Sequence, residues 1–278
     1  DSIIQASAYN NIGAVNRSLG KYDEALQSYL KALSIYEAKN ETSLRATVSN
    51  NIGMVYSYLG MNSKAIEYHL KAKNIFENEI LNLEQLDLKK IADKSNLLFI
   101  GSSSIRLWND IENDMHPYKP VKRGYGGAHY YDLIHFTERL ITNHSPKAIL
   151  IFVANDITGS NDIFKTNNDL SPKEVKKLFK YCYKSIRKTH PSVPVFVIET
   201  TPTPSRWGAW DKISEANDLI KSYCDSSSNL YFINTRDKFL KNSKPIRSLF
   251  ISDQLHLNKS GYNLWAKTIK SKLKESGL

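Results

Sequence analysis

Residues 10–37 are written a second time further along the chain. Asn10-Asn11-Ile12-Gly13 returns as Asn50-Asn51-Ile52-Gly53, Leu19-Gly20 as Leu59-Gly60, and Ala25 as Ala65. Leu30-Lys31-Ala32 returns as Leu70-Lys71-Ala72, and Ile35-Tyr36-Glu37 as Ile75-Phe76-Glu77, so the period is 40 residues. A fixed period forces each copy into the same supersecondary unit, and such units bury their apolar faces by stacking on their neighbours. Each copy reads as two amphipathic helices joined at Leu-Gly, with Gly13/Gly53 and Ala25/Ala65 where the helices approach closely. Two copies are fewer than the ~3 usually needed for a continuous core. An upstream repeat, docking onto a second domain, or a cap formed by Leu81–Ala92, with leucines at 81, 83, 86 and 88, is therefore expected.

The run Leu19-Gly20-Lys21-Tyr22-Asp23-Glu24-Ala25 resembles a tetratricopeptide repeat, a family whose period is usually 34, so longer helices or a longer loop are implied here. By that resemblance the repeats form a helical array that binds a protein or peptide partner. The plainer expectation is that they only brace the neighbouring domain.

The pattern changes at Lys94-Ser95-Asn96, which divides the chain into a helical domain, 1–93, and a second domain, 94–278. From there strands and helices alternate, the mark of a mostly parallel sheet covered on both faces. Strands are predicted at Leu97–Ile100, Val121–Arg123, Ala148–Val153, Val193–Ile198 and Leu230–Ile233. Helices are predicted at Tyr130–Thr142, Pro172–His190, Trp210–Cys224 and Lys259–Leu273, with a further helical pattern starting at Ile105-Arg106-Leu107-Trp108.

Charge is divided as unevenly as pattern. Residues 1–93 carry 10 Lys+Arg against 11 Asp+Glu, and residues 94–278 carry 28 against 17, so the second part holds the whole net charge of +10. A basic domain favours anionic substrates or surfaces. Yet Lys173, Lys176, Lys177, Lys180, Lys184 and Lys188 share one predicted helix, whose charges read as a solvated face. No stacking aromatics interleave them, so nucleic acid is not an expected partner. The longest apolar run, Ala148 to Ala154, has seven residues, far from the ~18 of a membrane span. Cys182 and Cys224 read as buried thiols, and no Cys/His spacing suggests a metal. The chain opens at Asp1 rather than Met, which suggests a processed form or a fragment, and an exported compartment is favoured over the cytoplasm.

Chemistry concentrates where the predicted strands end. In an α/β sheet that edge gathers side chains from distant sequence and is open to ligand. The first strand stops at Gly101 and delivers Ser102-Ser103-Ser104 to the start of a helical pattern, where free N–H groups favour developing negative charge. Alone, these serines would be ordinary helix caps. Three further blocks follow at strand ends or beyond: Gly124-Tyr125-Gly126-Gly127, Asn155-Asp156, and Asp253-Gln254-Leu255-His256.

These four blocks, in this order, resemble the SGNH (GDSL-type) hydrolase family over about residues 95–276. The most specific part is Asp253-Gln254-Leu255-His256-Leu257-Asn258-Lys259-Ser260-Gly261-Tyr262. The resemblance implies a three-layer α/β/α, flavodoxin-like domain with a parallel sheet, joined here to the N-terminal all-α array. It makes Ser103 the nucleophile, His256 the general base and then acid, and Asp253 the residue that orients the imidazole. Gly127 and Asn155 would donate N–H groups to the oxyanion, together with the Ser103 N–H. The sequence departs from the family at Ser102, where an Asp is usual, so the nucleophile could also lie one position earlier. It departs again at Val153, where a Gly usually stands. The Gly-Ser-Ser block followed by Ile105-Arg106-Leu107-Trp108 looks like a subgroup of the family.

The expected activity is hydrolysis of a carboxylic ester of a short acyl or acetyl group, with a carbohydrate as one candidate carrier, through an acyl-serine with neither metal nor cofactor. The competing expectation is an inert or ligand-binding scaffold recruited through its repeats, against which the full set Ser103, Asp253 and His256 speaks. Arg106, His129 and Arg123 are candidate substrate contacts, and Pro202–Trp207 is a proline-fixed loop that either lines the pocket or is purely structural.

Overall fold

The computed structural model describes residues 2–39, 41–88, 96–159 and 169–278. The chain divides into two units, one built on residues up to Asn82 and the other starting at Leu83. The boundary read at Lys94-Ser95 lies outside the described residues.

The first unit consists of α1 (Ser2–Ser18), α2 (Tyr22–Ala38), α3 (Thr42–Tyr58) and most of α4 (Asn62–Leu88). The long period resides in the helices, since α1, α2 and α3 have 17 residues each. Both Leu-Gly junctions close in the same way. Gly20 and Gly60 take left-handed backbone (φ 72° and 71°), and the next N–H reaches back to a helix carbonyl, Lys21 to Asn16 at 2.8 Å and Met61 to Tyr56 at 2.9 Å. This is the Schellman end, which satisfies last-turn carbonyls and admits glycine at low strain. The close approaches also fall where the sequence places them: a Cβ on Gly13 would meet the Tyr29 ring at 2.7 Å, and Ala25 and Ala65 are buried. The segment 81–88 continues α4, a single helix of 27 residues, and forms no separate cap; 89–95 lie outside the described residues.

In the second unit, β1 (Asn96–Gly101), β2 (Lys119–Gly124), β3 (Ala148–Phe152), β4 (Val195–Ile198) and β5 (Leu230–Ile233) form one parallel sheet in the order β2-β1-β3-β4-β5. The flavodoxin-like order puts a topological switch between β1 and β3, the place where open α/β sheets bind ligands. Alternate residues point to opposite faces. Leu97, Phe99, Leu150, Phe152 and Phe196 share one core with Trp108, Tyr262 and Trp265. Trp108 stacks on Tyr262 at 5.2 Å, and Trp265 meets the edge of Phe152 at 4.7 Å.

Around the sheet lie α5 (Ser103–Arg106), α6 (Ile111–Asp114), α7 (Tyr130–Ile141), α8 (Pro172–Thr189), α9 (Trp210–Asp225), α10 (Arg236–Phe239) and α11 (Lys259–Glu275). The helical pattern read from Ile105 onward is thus one short turn, α5, followed by another. Cys182 and Cys224 are free, buried thiols. No helix among the described residues is long and apolar enough to cross a membrane.

Candidate active site

The end of β1 sets the geometry. Gly101 has φ +128°, and a Cβ there would sit 1.9 Å from the Phe152 carbonyl oxygen, so only glycine fits beside β3. The chain then turns, and the Ser102 N–H donates to that same carbonyl at 2.9 Å. This turn separates the fates of two adjacent serines. Ser102 is buried, with 1% exposure. Ser103 opens α5 and holds its Oγ 2.9 Å from His256 Nε2.

His256 reaches Ser103 from a closed turn ahead of α11. Phe250 and Leu257 form an isolated antiparallel bridge, and the Ile251 N–H donates to the His256 carbonyl at 2.9 Å. Inside the turn, one carboxylate oxygen of Asp253 accepts from the Leu255 and His256 N–H groups at 2.8 and 2.9 Å. Its other oxygen lies 2.6 Å from His256 Nδ1. Burial pushes the Asp253 carboxyl up, but the His256 side chain and the two backbone donors pull it further down, leaving it below its ordinary 3.8. An ionised Asp253 requires the proton on Nδ1 and leaves the Nε2 lone pair facing Ser103. The turn is tied to the helix that Ser103 opens because Tyr262 of α11 donates its hydroxyl to the Ser104 carbonyl at 2.9 Å.

The loops after β2 and β3 complete the edge. Tyr125 N–H donates to the Gly101 carbonyl at 3.0 Å, which keeps the β2 loop against β1, and Gly127 takes left-handed backbone with φ 68°. Asn155 follows β3, and its Nδ2 donates to the Ala128 carbonyl at 2.9 Å, joining the Gly127 loop to the Asn155 loop. Asp156 is buried at 4% exposure and accepts from the Tyr130 N–H with both oxygens at 3.2 Å, anchoring the start of α7. Val153, which stands where the family usually has glycine, is also buried. The structure therefore gathers Ser103, Asp253 and His256 in one hydrogen-bonded line, and links the Gly127 and Asn155 loops to the strand that carries Ser103.

The remaining candidates separate. Arg123 belongs to a buried ion pair with Asp87, to which its Nε donates at 2.8 Å, so it is committed away from substrate. His129 stands at the start of α7 with Nδ1 3.7 Å from Asp156 Oδ1; burial lowers its pKa, while Asp156 and Asp132 more than reverse that and raise it. Arg106 closes α5.

The proline-fixed loop proves to be a bridge. Its 3-10 segment, Pro204–Ala209, donates Ser205 N–H to the Gln254 carbonyl of the histidine turn at 3.1 Å. From the same segment Arg206 donates to the Ala154 carbonyl and, at 2.7 Å, to Asn155 Oδ1. Sequence reading identifies this loop but not Arg206, because no local spacing shows which residue a guanidinium some 50 positions away will meet.

The sequence of residues 104–264 matches the GDSL-like Lipase/Acylhydrolase family, and residues 4–78 match the tetratricopeptide repeat. The family match starts one residue after Ser103. No curated protein sequence matches the chain. Among solved structures, the chain is similar to a Streptococcus pneumonia protein described as a platelet activating factor, with 18% identity and a TM-score of 0.63, over 77% of this chain and 99% of that one. It is also similar to a GDSL-like lipase from Bacteroides thetaiotaomicron, with 17% identity and a TM-score of 0.56, over 71% of this chain and 98% of that one. These structural likenesses bear on the fold; the family match covers more than half of the chain. The chain thus belongs to the GDSL-like lipase/acylhydrolase family of ester-bond hydrolases, with a tetratricopeptide-repeat region ahead of the hydrolase domain.

Proposed function

We propose that the protein cleaves a carboxylic ester through a covalent acyl-Ser103 intermediate. The observation that carries this reading is the continuous line from Ser103 Oγ to His256 Nε2 at 2.9 Å and from His256 Nδ1 to Asp253 at 2.6 Å. A hydroxyl is a weak nucleophile until a base removes its proton in the attack. In the reading, Ser103 Oγ bonds to the acyl carbon as its proton passes to His256 Nε2. The resulting oxyanion is met by the N–H groups of Ser103 and Gly127 and by the Asn155 carboxamide. Collapse breaks the ester C–O bond, and His256 returns the proton to the departing alkoxide. Water, deprotonated by His256, then attacks the acyl-serine, and the carboxylate leaves as Ser103 regains its proton.

The acyl group proposed is short, acetyl in the simplest case. Supporting this, the segments that follow the strands, among them Gly101-Ser102-Ser103-Ser104 and Thr200-Thr201-Pro202, are made mainly of Ser, Gly, Thr and Pro. A carbohydrate carrier is also proposed, and the half-buried indoles Trp207 and Trp210, stacked 5.7 Å apart on the segment that holds Arg206, are the aromatic groups that would meet it. The repeat region is proposed to hold a protein or peptide partner. The domain limits proposed for these two roles are 1–93 and 94–278.

The test is release of p-nitrophenol from p-nitrophenyl acetate by wild type, Ser102→Ala and Ser103→Ala, each checked for native unfolding. Ser103→Ala is expected to lower kcat by about 10⁴-fold or more, whereas Ser102→Ala keeps measurable turnover. Loss of activity in Ser102→Ala alone would move the nucleophile by one position.

A further inference from the structure

The Asn155 carboxamide has two ends of nearly equal size and opposite chemistry: its oxygen only accepts hydrogen bonds, and its NH₂ only donates. Rotating it by half a turn would present an acceptor to a developing oxyanion, and the two would repel. Something must therefore fix which end faces which way.

In this structure two one-way partners do so. The Ala128 carbonyl can only accept, and it faces Nδ2 at 2.9 Å. The Arg206 guanidinium can only donate, and it faces Oδ1 at 2.7 Å. Ala128 takes one of the two N–H bonds of Nδ2, and the second remains for the oxyanion. Arg206 also donates to the carbonyl of Ala154, so its planar fork grips the backbone of one residue and the side chain of the next.

We propose that Arg206 is a positioning residue that holds the Asn155 carboxamide with its NH₂ toward the tetrahedral oxygen. The proposal rests on the reading of Ser103 as nucleophile and Asn155 as oxyanion donor.

Three further observations fit this role. Arg206 is held in its own right, because Pro204 opens the 3-10 segment and Ser205 N–H is bonded to Gln254 in the histidine turn. A single short segment thus fixes the distance between the donor Asn155 and the turn bearing His256. The cation is kept: burial lowers the guanidinium, the Asp169 and Asp156 carboxylates oppose that fall, and the group ends at about 10, so it is charged at neutral pH. Finally, the two acceptors on successive residues suit a fork better than a point charge, so lysine should replace Arg206 only in part.

The test is a double-mutant cycle on p-nitrophenyl acetate hydrolysis, with kcat and KM measured for wild type, Asn155→Ala, Arg206→Met and the double variant. Asn155→Ala should lower kcat by about 10²–10³-fold, the usual effect of removing one oxyanion donor. Arg206→Met should lower kcat by about tenfold or more with KM little changed, since an interaction made in the transition state is lost. In the Asn155→Ala background, Arg206→Met should lower kcat by less than about threefold, because the group it positions is gone. Losses that multiply, or a wild-type kcat in Arg206→Met, would overturn the proposal and leave the serine mechanism standing. If Asn155→Ala itself keeps wild-type kcat, the oxyanion reading fails, and the role of Arg206 fails with it. Should Arg206→Met not fold, Arg206→Lys carries the same cycle: a smaller loss of kcat that again disappears beside Asn155→Ala.

Discussion

At the scale of single residues, the site depends on positions that allow no substitute. Gly101 lets β1 end against the Phe152 carbonyl, and the turn that follows leaves Ser103 half-buried against His256 while burying Ser102. The two serines are equivalent in the sequence, which is why spacing alone leaves the register ambiguous by one; the carbonyl of a neighbouring strand separates them. Asp253 offers the sharpest residue-level test. Its carboxylate accepts from Nδ1 of His256 and from two backbone donors, so Asp253→Asn would keep the shape of the turn while permitting the wrong imidazole tautomer. The expected outcome is a fall of about 10⁴ in kcat at neutral pH, with the unfolding midpoint close to wild type, measured by ester hydrolysis and thermal denaturation. The residue types of the candidate site are legible in the sequence because the Ser, Gly and Asn blocks sit at strand ends and the Asp-His block just ahead of the last helix. Arg206 is not, since its contact with Asn155 spans 51 positions and exists only after folding.

At the scale of elements, the five strands are legible to within about two residues, four of them because each is a short apolar run largely buried on both faces. The edge strand β2, with Lys119, Lys122 and Arg123, is partly exposed and shows only around Val121. The small elements escape sequence reading: α6, α10 and the hairpin of Leu240–Lys241 with Lys244–Pro245 are too short to show a period. So does the role of the last turns of α4. There Glu84 receives both Nε and Nη2 of Arg139 at 2.7 Å, and Asp87 is shared by Arg123 of β2 and His144 at 3.1 Å. Asp87 and Arg123 are almost wholly buried, with side chains 3% and 5% exposed. Burial pushes the Asp87 carboxyl up, and hydrogen bonds from His144 and Arg123 overcome it, so the group ends below its ordinary 3.8. Asp87→Asn would strand the Arg123 cation in the interior and should destabilise the second unit by about 3–5 kcal/mol in urea unfolding at pH 7. A depressed carboxyl contributes stability that is complete above its unfolded value and fades as pH falls through its folded one. The difference between wild type and Asp87→Asn should accordingly persist from neutrality to about pH 4 and narrow only below it.

At the scale of the whole molecule, sequence distance and function are inversely related. The hydroxyl and imidazole that meet at 2.9 Å are 153 positions apart, and the parallel order β2-β1-β3-β4-β5 is what brings them together. Each crossover returns the chain to the same end of the sheet, so four separated blocks meet at one edge beside the switch between β1 and β3. The two-part organisation is legible for a related reason: a 40-residue period and a strand–helix alternation cannot belong to one layer pattern. The excess positive charge, which lies wholly beyond residue 93, follows the same division. What the sequence does not show is how far α4 runs, because its periodicity continues past the second repeat without a cap or glycine to stop it. The central claim, a serine nucleophile poised by His256, is tested most directly by covalent trapping. Wild-type protein would be treated with a fluorophosphonate, and the modified peptide sequenced by mass spectrometry, with His256→Ala alongside. The account requires one phosphonyl group per chain, attached to Ser103, and labelling slowed by orders of magnitude in His256→Ala. A label on Ser102, or a Ser103 that reacts no faster in wild type than in His256→Ala, would contradict it.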